Sequence, residues 1–385
     1  MIVFKLIFFN LLRHPLRSFL TCLGLIIATL SFGLLSTVVD AWYAGAEGAS
    51  NARLIVRSSI SLIFPIPKSH LNRIKKLQGV NNVSWSRWFG GYYKERKNFF
   101  PQFAIDPESY LNIYPEFLVS DSQKELFFSD KRSTLIGRKI AEEHGIKPGD
   151  LMVLEGQIFP GRWEFLVAGI YDGKYKETDT AQMFFHWEYL NKEIKKRTIL
   201  RDDDSVGVFI VEIKEIKNAA EISLAIDELF KNSPKETYTE TEKAFQLGFV
   251  AMTEAIVVAI RLVSYVVIII IMAVMANTMS MTARERLREY ATFRAIGFPP
   301  KFLIKLIFFE SLILSLFGGI LGVLLTFPAA LLFSSATGTL FPVFEVSEHT
   351  IVNQMFLVGL TGILASVFPS IKASSINISS GLRSI

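Results

Sequence analysis

The chain has 385 residues, half of them hydrophobic and 33 of them Phe, with a mean hydropathy of +0.35. That is too apolar for an ordinary water-soluble protein and fits membrane spans joined to a soluble part. The net charge is +5, but it is segregated: residues 1–17, 280–305 and 372–385 hold eleven Lys/Arg against two Asp/Glu, and the remainder holds thirty against thirty-four. This is the charge bias of loops on the inner side of a membrane, and it excludes a nucleic-acid footprint. Cys22 is the only cysteine, so no internal disulfide or cysteine metal site exists; in an apolar run its role is packing.

Residues 1–12 are apolar apart from Lys5 and Asn10. Asn10, Arg13, His14 and Arg17 follow helical spacing and form one polar edge, so residues 1–17 read as an interfacial helix on the inner leaflet, ended near Pro15. Residues 18–39 read as the first span. Ala44-Gly45-Ala46 imitates a signal-peptide cleavage site, but the apolar run is too long for a signal core. Residues 40–250 contain no spanning run and carry mixed charge, which predicts one large α+β insertion on the outer side. Strands are expected over 53–63, 83–89, 99–105 and 204–213, and helices over 70–77 and 219–230. These pieces form a unit of residues 51–113 and 202–235, split by an inserted subdomain at 114–201. Within the insertion, Gly145 stops a short helix and Pro148-Gly149 turns the chain into strands at 151–154 and 165–171.

Residues 251–281 read as a stalk and second span, with Arg261 near the outer interface and Asn277 within the membrane. Residues 300–333 form a third span carrying Lys305 and Glu310, kinked or ended by Pro328, and residues 351–373 form a fourth. About 20 apolar residues at about 1.5 Å each cross about 30 Å of hydrocarbon. Residues 334–350 become a short acidic outer loop and 374–385 an inner tail. Between the second and third spans, residues 282–298 read as a compact basic helix. Thr282 and Glu285 have capping-box spacing, Gly297 supplies the stop, and Pro299 and Pro300 block continuation. The helix holds Arg284, Arg286, Arg288 and Arg294 with Glu285 and Glu289, beside an apolar stripe of Leu287, Tyr290, Ala291 and Ile296.

Glu310 lies about two turns into its span, where a carboxylate must pair or touch water. It is either a salt bridge to the basic helix, with Arg294 as the candidate partner, or a static anchor near the interface. No other acid recurs in the spans, which disfavours an ion pathway. Gly318, Gly319 and Gly322 occupy neighbouring turns and allow close approach of another helix, in this chain or in a second subunit. Chemistry is otherwise absent. The stretch from Gly169 to Lys174 is one residue short of a phosphate-binding loop and is followed by Tyr175. No G-x-S-x-G or H-E-x-x-H is present, and the five His show no ligand spacing. Asp202-Asp203-Asp204 reads as a solvated loop. We expect no catalytic residue, no metal and no cofactor on this chain.

The order Asn277, Arg284-Glu285-Arg286, Arg294-Ala295-Ile296-Gly297, Glu310, Gly318-Gly319 and Gly322 resembles the permease subunits of MacB/FtsX-type ABC transporters. Asn10-Leu11-Leu12-Arg13 with Arg17, Thr21 and Gly24, the stretch from Gly137 to Asp150, and Gly362, Ala365, Ser366, Pro369, Lys372 and Ala373 are also similar to that family. The resemblance implies a multi-pass protein of the bacterial inner membrane with a MacB-like core domain outside the cytoplasm. It implies that the basic link is a coupling helix docking on a separate ATPase, which binds ATP and Mg, through Arg284, Glu285, Arg286, Arg288, Glu289, Arg294 and Gly297. It implies a second permease subunit, identical or related, and an outer partner: an adaptor, a lipoprotein or a hydrolase. The expected work is mechanotransmission for export or for lipid or lipoprotein extraction. The alternative is control of a cell-wall hydrolase with no solute moved. Four spans with one outer domain do not choose the cargo.

Overall fold

The computed structural model describes residues 13–197, 204–337, 341 and 343–374. The expected interfacial helix lies mostly outside the described residues. The chain divides into two compact units: Met1–Asp40, Glu254–Ala336 and Phe344–Ile385 in one, Ala41–Thr253 and Thr337–Val343 in the other.

The helical unit is built on four long helices, Pro15–Glu47, Glu254–Glu285, Pro300–Thr337 and Glu348–Ser374. All four are long and apolar enough to cross a membrane. They are apolar inside and out. Leu25, Ala28, Ile271, Met275, Met279, Leu314 and Ala365 pack together, while Leu262, Ile269 and Leu331 stand exposed. An apolar exterior belongs in lipid, where every backbone group must bond within its own helix. Pro328 does not end the third helix, which runs on to Thr337. Thr326 beside it is fully buried and bonds the Gly322 carbonyl at 2.9 Å. Neighbouring helices and such hydroxyls hold a proline-containing helix together in an apolar medium.

The other unit is a mixed sheet with helices packed on it. Its strands are β1 (Arg53–Ser58), β2 (Ile66–Pro67), β3 (Val80–Trp88), β4 (Gly91–Tyr93), β5 (Gln102–Ile105), β6 (Phe117–Leu118), β7 (Ser133–Gly137), β8 (Leu151–Gly156), β9 (Gly161–Gly173), β10 (Met183–His186), β11 (Ser205–Val206), β12 (Val208–Ile213) and β13 (Thr237–Thr241). The main sheet runs β13-β1-β12-β3-β5-β10-β7-β9-β8-β4, with β6 on β9; β11 and β2 pair separately. Alternation sorts the side chains. Leu54, Val56, Phe209 and Val211 enter the larger core on one face; Ile55 and Ile210 enter the smaller core on the other.

The expected split at 114 and 201 does not interrupt this sheet. β10 pairs parallel with β5, Met183 opposite Gln102 through His186 opposite Ile105, and antiparallel with β7. With both backbone edges used, β10 carries the sheet from one segment into the other. The larger core likewise mixes Leu54 and Phe209 with Met152 and Phe165.

Candidate coupling site

The second long helix runs through Glu285 and breaks at Arg286, whose backbone takes φ −99° and ψ 12°. This corrects the expected start at Thr282. A capping hydroxyl serves a free N–H at a helix start, but here the preceding residues are already helical. Thr282 Oγ1 instead donates to the Thr278 carbonyl at 3.0 Å. The short helix Leu287–Ala295 follows. Its end is a Schellman turn: Phe298 N–H bonds Phe293 O at 3.0 Å and Gly297 N–H bonds Arg294 O at 3.1 Å. Gly297 has φ +104°, which a side chain would resist, and the Phe293 and Phe298 rings meet at 5.7 Å.

The short helix is held firmly against its own unit. Tyr290 is buried among Ala283, Leu303, Leu306, Ile307 and Ala373, with Phe293 and Phe302 packed against them. Above this apolar seat lies a charge network. Arg286 and Glu310 are 6% and 4% exposed, and Arg286 Nη1 meets Glu310 Oε2 at 2.9 Å. Arg286 Nε also donates to Glu289 Oε2 at 3.1 Å, and Glu289 accepts from Arg13. Arg17 holds Glu285 with two bonds, 2.7 and 2.8 Å. Burial resists ionisation of Glu289, but the bonds from Arg286 and Arg13 together outweigh it and keep the carboxyl below the ordinary glutamate value.

The magnitudes rank these contacts. Exposed pairs such as Arg13–Glu289 contribute ~0–1 kcal/mol. Breaking a buried pair by removing one partner costs ~3–5 kcal/mol. Arg286–Glu310 is therefore the bond that fixes the short helix to the third helix. The expected partner, Arg294, is not the one: Arg294 is half-buried, and Arg286, at the helix break, takes the place. Arg284 and Arg288 are exposed, as is Asn277 on the second helix.

The glycines lie where helices of this chain touch. A Cβ on Gly318 would sit 2.8 Å from Leu25 Cβ, and one on Gly322 would sit 2.7 Å from Thr29 Cβ, so both face the first helix. A Cβ on Gly319 would come within 2.3 Å of Val358 on the fourth. Ser311 and Ser315 donate across the same seam to Gly362 O and Val358 O, at 2.7 and 2.6 Å. The close packing is between spans of one chain.

Sequence reasoning missed the role of Arg13 and Arg17. Their i,i+4 spacing marks them as one face of a helix, but their partners stand some 270 positions away and leave no local trace. It also missed Gln354, buried in the fourth helix, which donates to Thr29 O at 2.8 Å and Thr326 Oγ1 at 3.0 Å. Among the described residues, no group of three or more His, Cys, Asp or Glu could hold a metal ion. The short helix is an arm packed against the second, third and fourth helices and salt-bridged to Arg13, just ahead of the first.

In chain order, then, four helices are long and apolar enough to cross a membrane, with a large α/β domain between the first and second and a basic short helix between the second and third. Residues 261–378 match the FtsX-like permease C-terminal family. The C-terminal third of the chain is thus similar to FtsX-like permeases. An uncharacterized ABC transporter permease of Methanocaldococcus jannaschii is 23% identical over 393 residues, covering 96% of this chain and 94% of the relative. Among solved structures, the extracellular domain of the noncanonic ABC-type transporter YknZ from Gram-positive bacteria is similar at 14% identity and TM-score 0.36, over 49% of this chain and 100% of that one. The periplasmic region of MacB from Actinobacillus actinomycetemcomitans is similar at 11% identity and TM-score 0.38, over 53% of this chain and 94% of that one.

Proposed function

We propose that this chain transmits motion from a separate ATPase subunit to its own inserted domain, in the service of export or of lipid or lipoprotein extraction. The observation that carries the reading is the buried Arg286–Glu310 bond. It fixes the short helix Leu287–Ala295 to the third long helix, while Arg13, Arg17, Glu285 and Glu289 tie that region to the first and second. A push on the short helix is then shared by the spans and not absorbed by a loose loop. The first and second helices are also the two that lead into and out of the inserted domain along the chain. On this reading Arg284, Arg288 and Arg294 face the cytoplasm, where basic segments remain, and the inserted domain lies outside the inner membrane. ATP and Mg bind the ATPase, and a second permease subunit completes the transporter.

The test is to reverse Arg284 and Arg288 to Glu together. Both are exposed, so the fold should survive. Arg286 is spared, because a glutamate there would stand beside buried Glu310 and would test folding instead. Reconstituted with its ATPase, the variant should fold and insert but fail to stimulate ATP hydrolysis. Wild-type stimulation and transport by that variant would overturn the proposal.

A further inference from the structure

The inserted domain contains a cavity of about 1240 Å³, between one face of the sheet and the helix Glu242–Met252. Cavities of roughly 300–1,000 Å³ already take drug-sized ligands. The walls are mainly apolar and aromatic: Ile55 and Ile210 from β1 and β12, with Phe103, Phe117, Phe245 and Phe249. Ile63, Ile158 and Tyr175 line it and are also exposed, at 87%, 55% and 59%. Large apolar side chains left in water at the edge of an apolar cavity mark a place where another apolar body sits.

The charges lining the cavity decide which kind. Five carboxylates line it, Glu47, Glu116, Glu177, Asp179 and Glu242, against three basic groups, Arg53, Arg87 and Lys174. Arg53 is already spent. It is buried, it meets Glu242 at 2.7 Å and Glu116 at 2.8 Å, and it lies 4.3 Å over the Tyr114 ring. Arg87 bonds Ser205 Oγ at 3.1 Å and lies 5.0 Å from the Phe159 ring. An incoming anion would meet one exposed lysine and a surplus of carboxylates. An incoming cation would meet exposed Glu47 and Glu177, the deeper Asp179, and aromatic faces that attract positive charge.

We propose that this cavity is a binding site for an amphiphilic organic cation, its apolar body against the aromatic wall and its charge among Glu47, Glu177 and Asp179. Burial raises the Asp179 carboxyl above its ordinary value of 3.8, against bonds from Ala181 N–H and Gln182 Nε2 and the weaker pull of the Lys139 charge. A cation seated beside it relieves that cost. The site stands on the inserted domain alone and does not depend on the ATPase reading.

Tetraphenylphosphonium and tetraphenylborate test it, because they share a shape and differ in the sign of their charge. The full chain is placed in phosphatidylcholine nanodiscs, and equilibrium binding of each ion is measured in separate samples with empty nanodiscs subtracted. Tetraphenylphosphonium should bind saturably at one site, and tetraphenylborate should show no saturable component. Gln246→Trp fills the cavity from the helix side and should weaken the phosphonium at least tenfold. Val208→Trp fills it from the sheet, and should do the same if the first variant fails to fold. The paired change Glu47→Gln with Glu177→Gln, at two exposed positions, should weaken it about three- to tenfold. Equal binding of both ions, absence of saturable phosphonium binding, or affinity unmoved in a folded cavity-filled variant would each overturn the proposal.

Discussion

At the scale of single residues, the candidate coupling site contains one buried ion pair, Arg286 with Glu310. A carboxylate in a span announces that it needs a partner, so the problem posed by Glu310 was legible in the sequence; its solution was not. Arg294 is offered by its place near the end of the basic stretch, Arg286 by the backbone break that aims it at the third helix. Only the break's position separates the two, and no residue type marks it. The pair is nearly dry, so it should behave as a unit. Glu310→Gln or Arg286→Met alone should each cost ~3–5 kcal/mol, by leaving one charge uncompensated. Arg286→Met with Glu310→Leu should cost less than either single change, because both charges leave together. Thermal unfolding of the four proteins in one detergent measures the cycle. Costs that simply add would mean that the two side chains act separately and that the short helix is held by its apolar seat alone.

At the scale of elements, the four spans were the most legible part, since each needs only a long charge-poor run. The ends were less so. The Thr282 and Glu285 spacing is that of a cap, yet a cap works only where the backbone before it is not helical, and residues 278–281 are helical. Gly297 is the converse case. Its place after the last apolar position marks a stop, and the Schellman bonds from Gly297 and Phe298 close the helix there. A Cβ at Gly297 would touch nothing within 4 Å, so a substitution changes backbone preference and no contact. Gly297→Ala should therefore lower stability by about 1 kcal/mol, and Gly297→Asn by less, because Asn tolerates positive φ better. Paired melting curves would show the ordering. An alanine variant as stable as the parent would mean that the turn has another low-energy form.

At the scale of the whole molecule, the inserted domain was legible as α+β, but not as one sheet. Pattern reading finds strands one at a time and divides them where the chain makes an excursion. The parallel pairing of β5 with β10 joins positions about 80 residues apart, and no periodicity reports such a bond. Its consequence is mechanical: a domain with one continuous sheet and a core shared across it moves and opens as one body. Phe185 on β10 tests this. It is fully buried, with the Phe165 ring at 4.8 Å and the Phe89 ring at 5.4 Å. Phe185→Ala should cost ~3–5 kcal/mol. Native-state hydrogen exchange should show β1 and β12 losing protection by the same free energy as β7 and β9. Two separate subdomains would respond differently, with the strands on the split unit keeping their protection while those of the insertion lose it. Equal losses on both sides of β10 are what a single body requires.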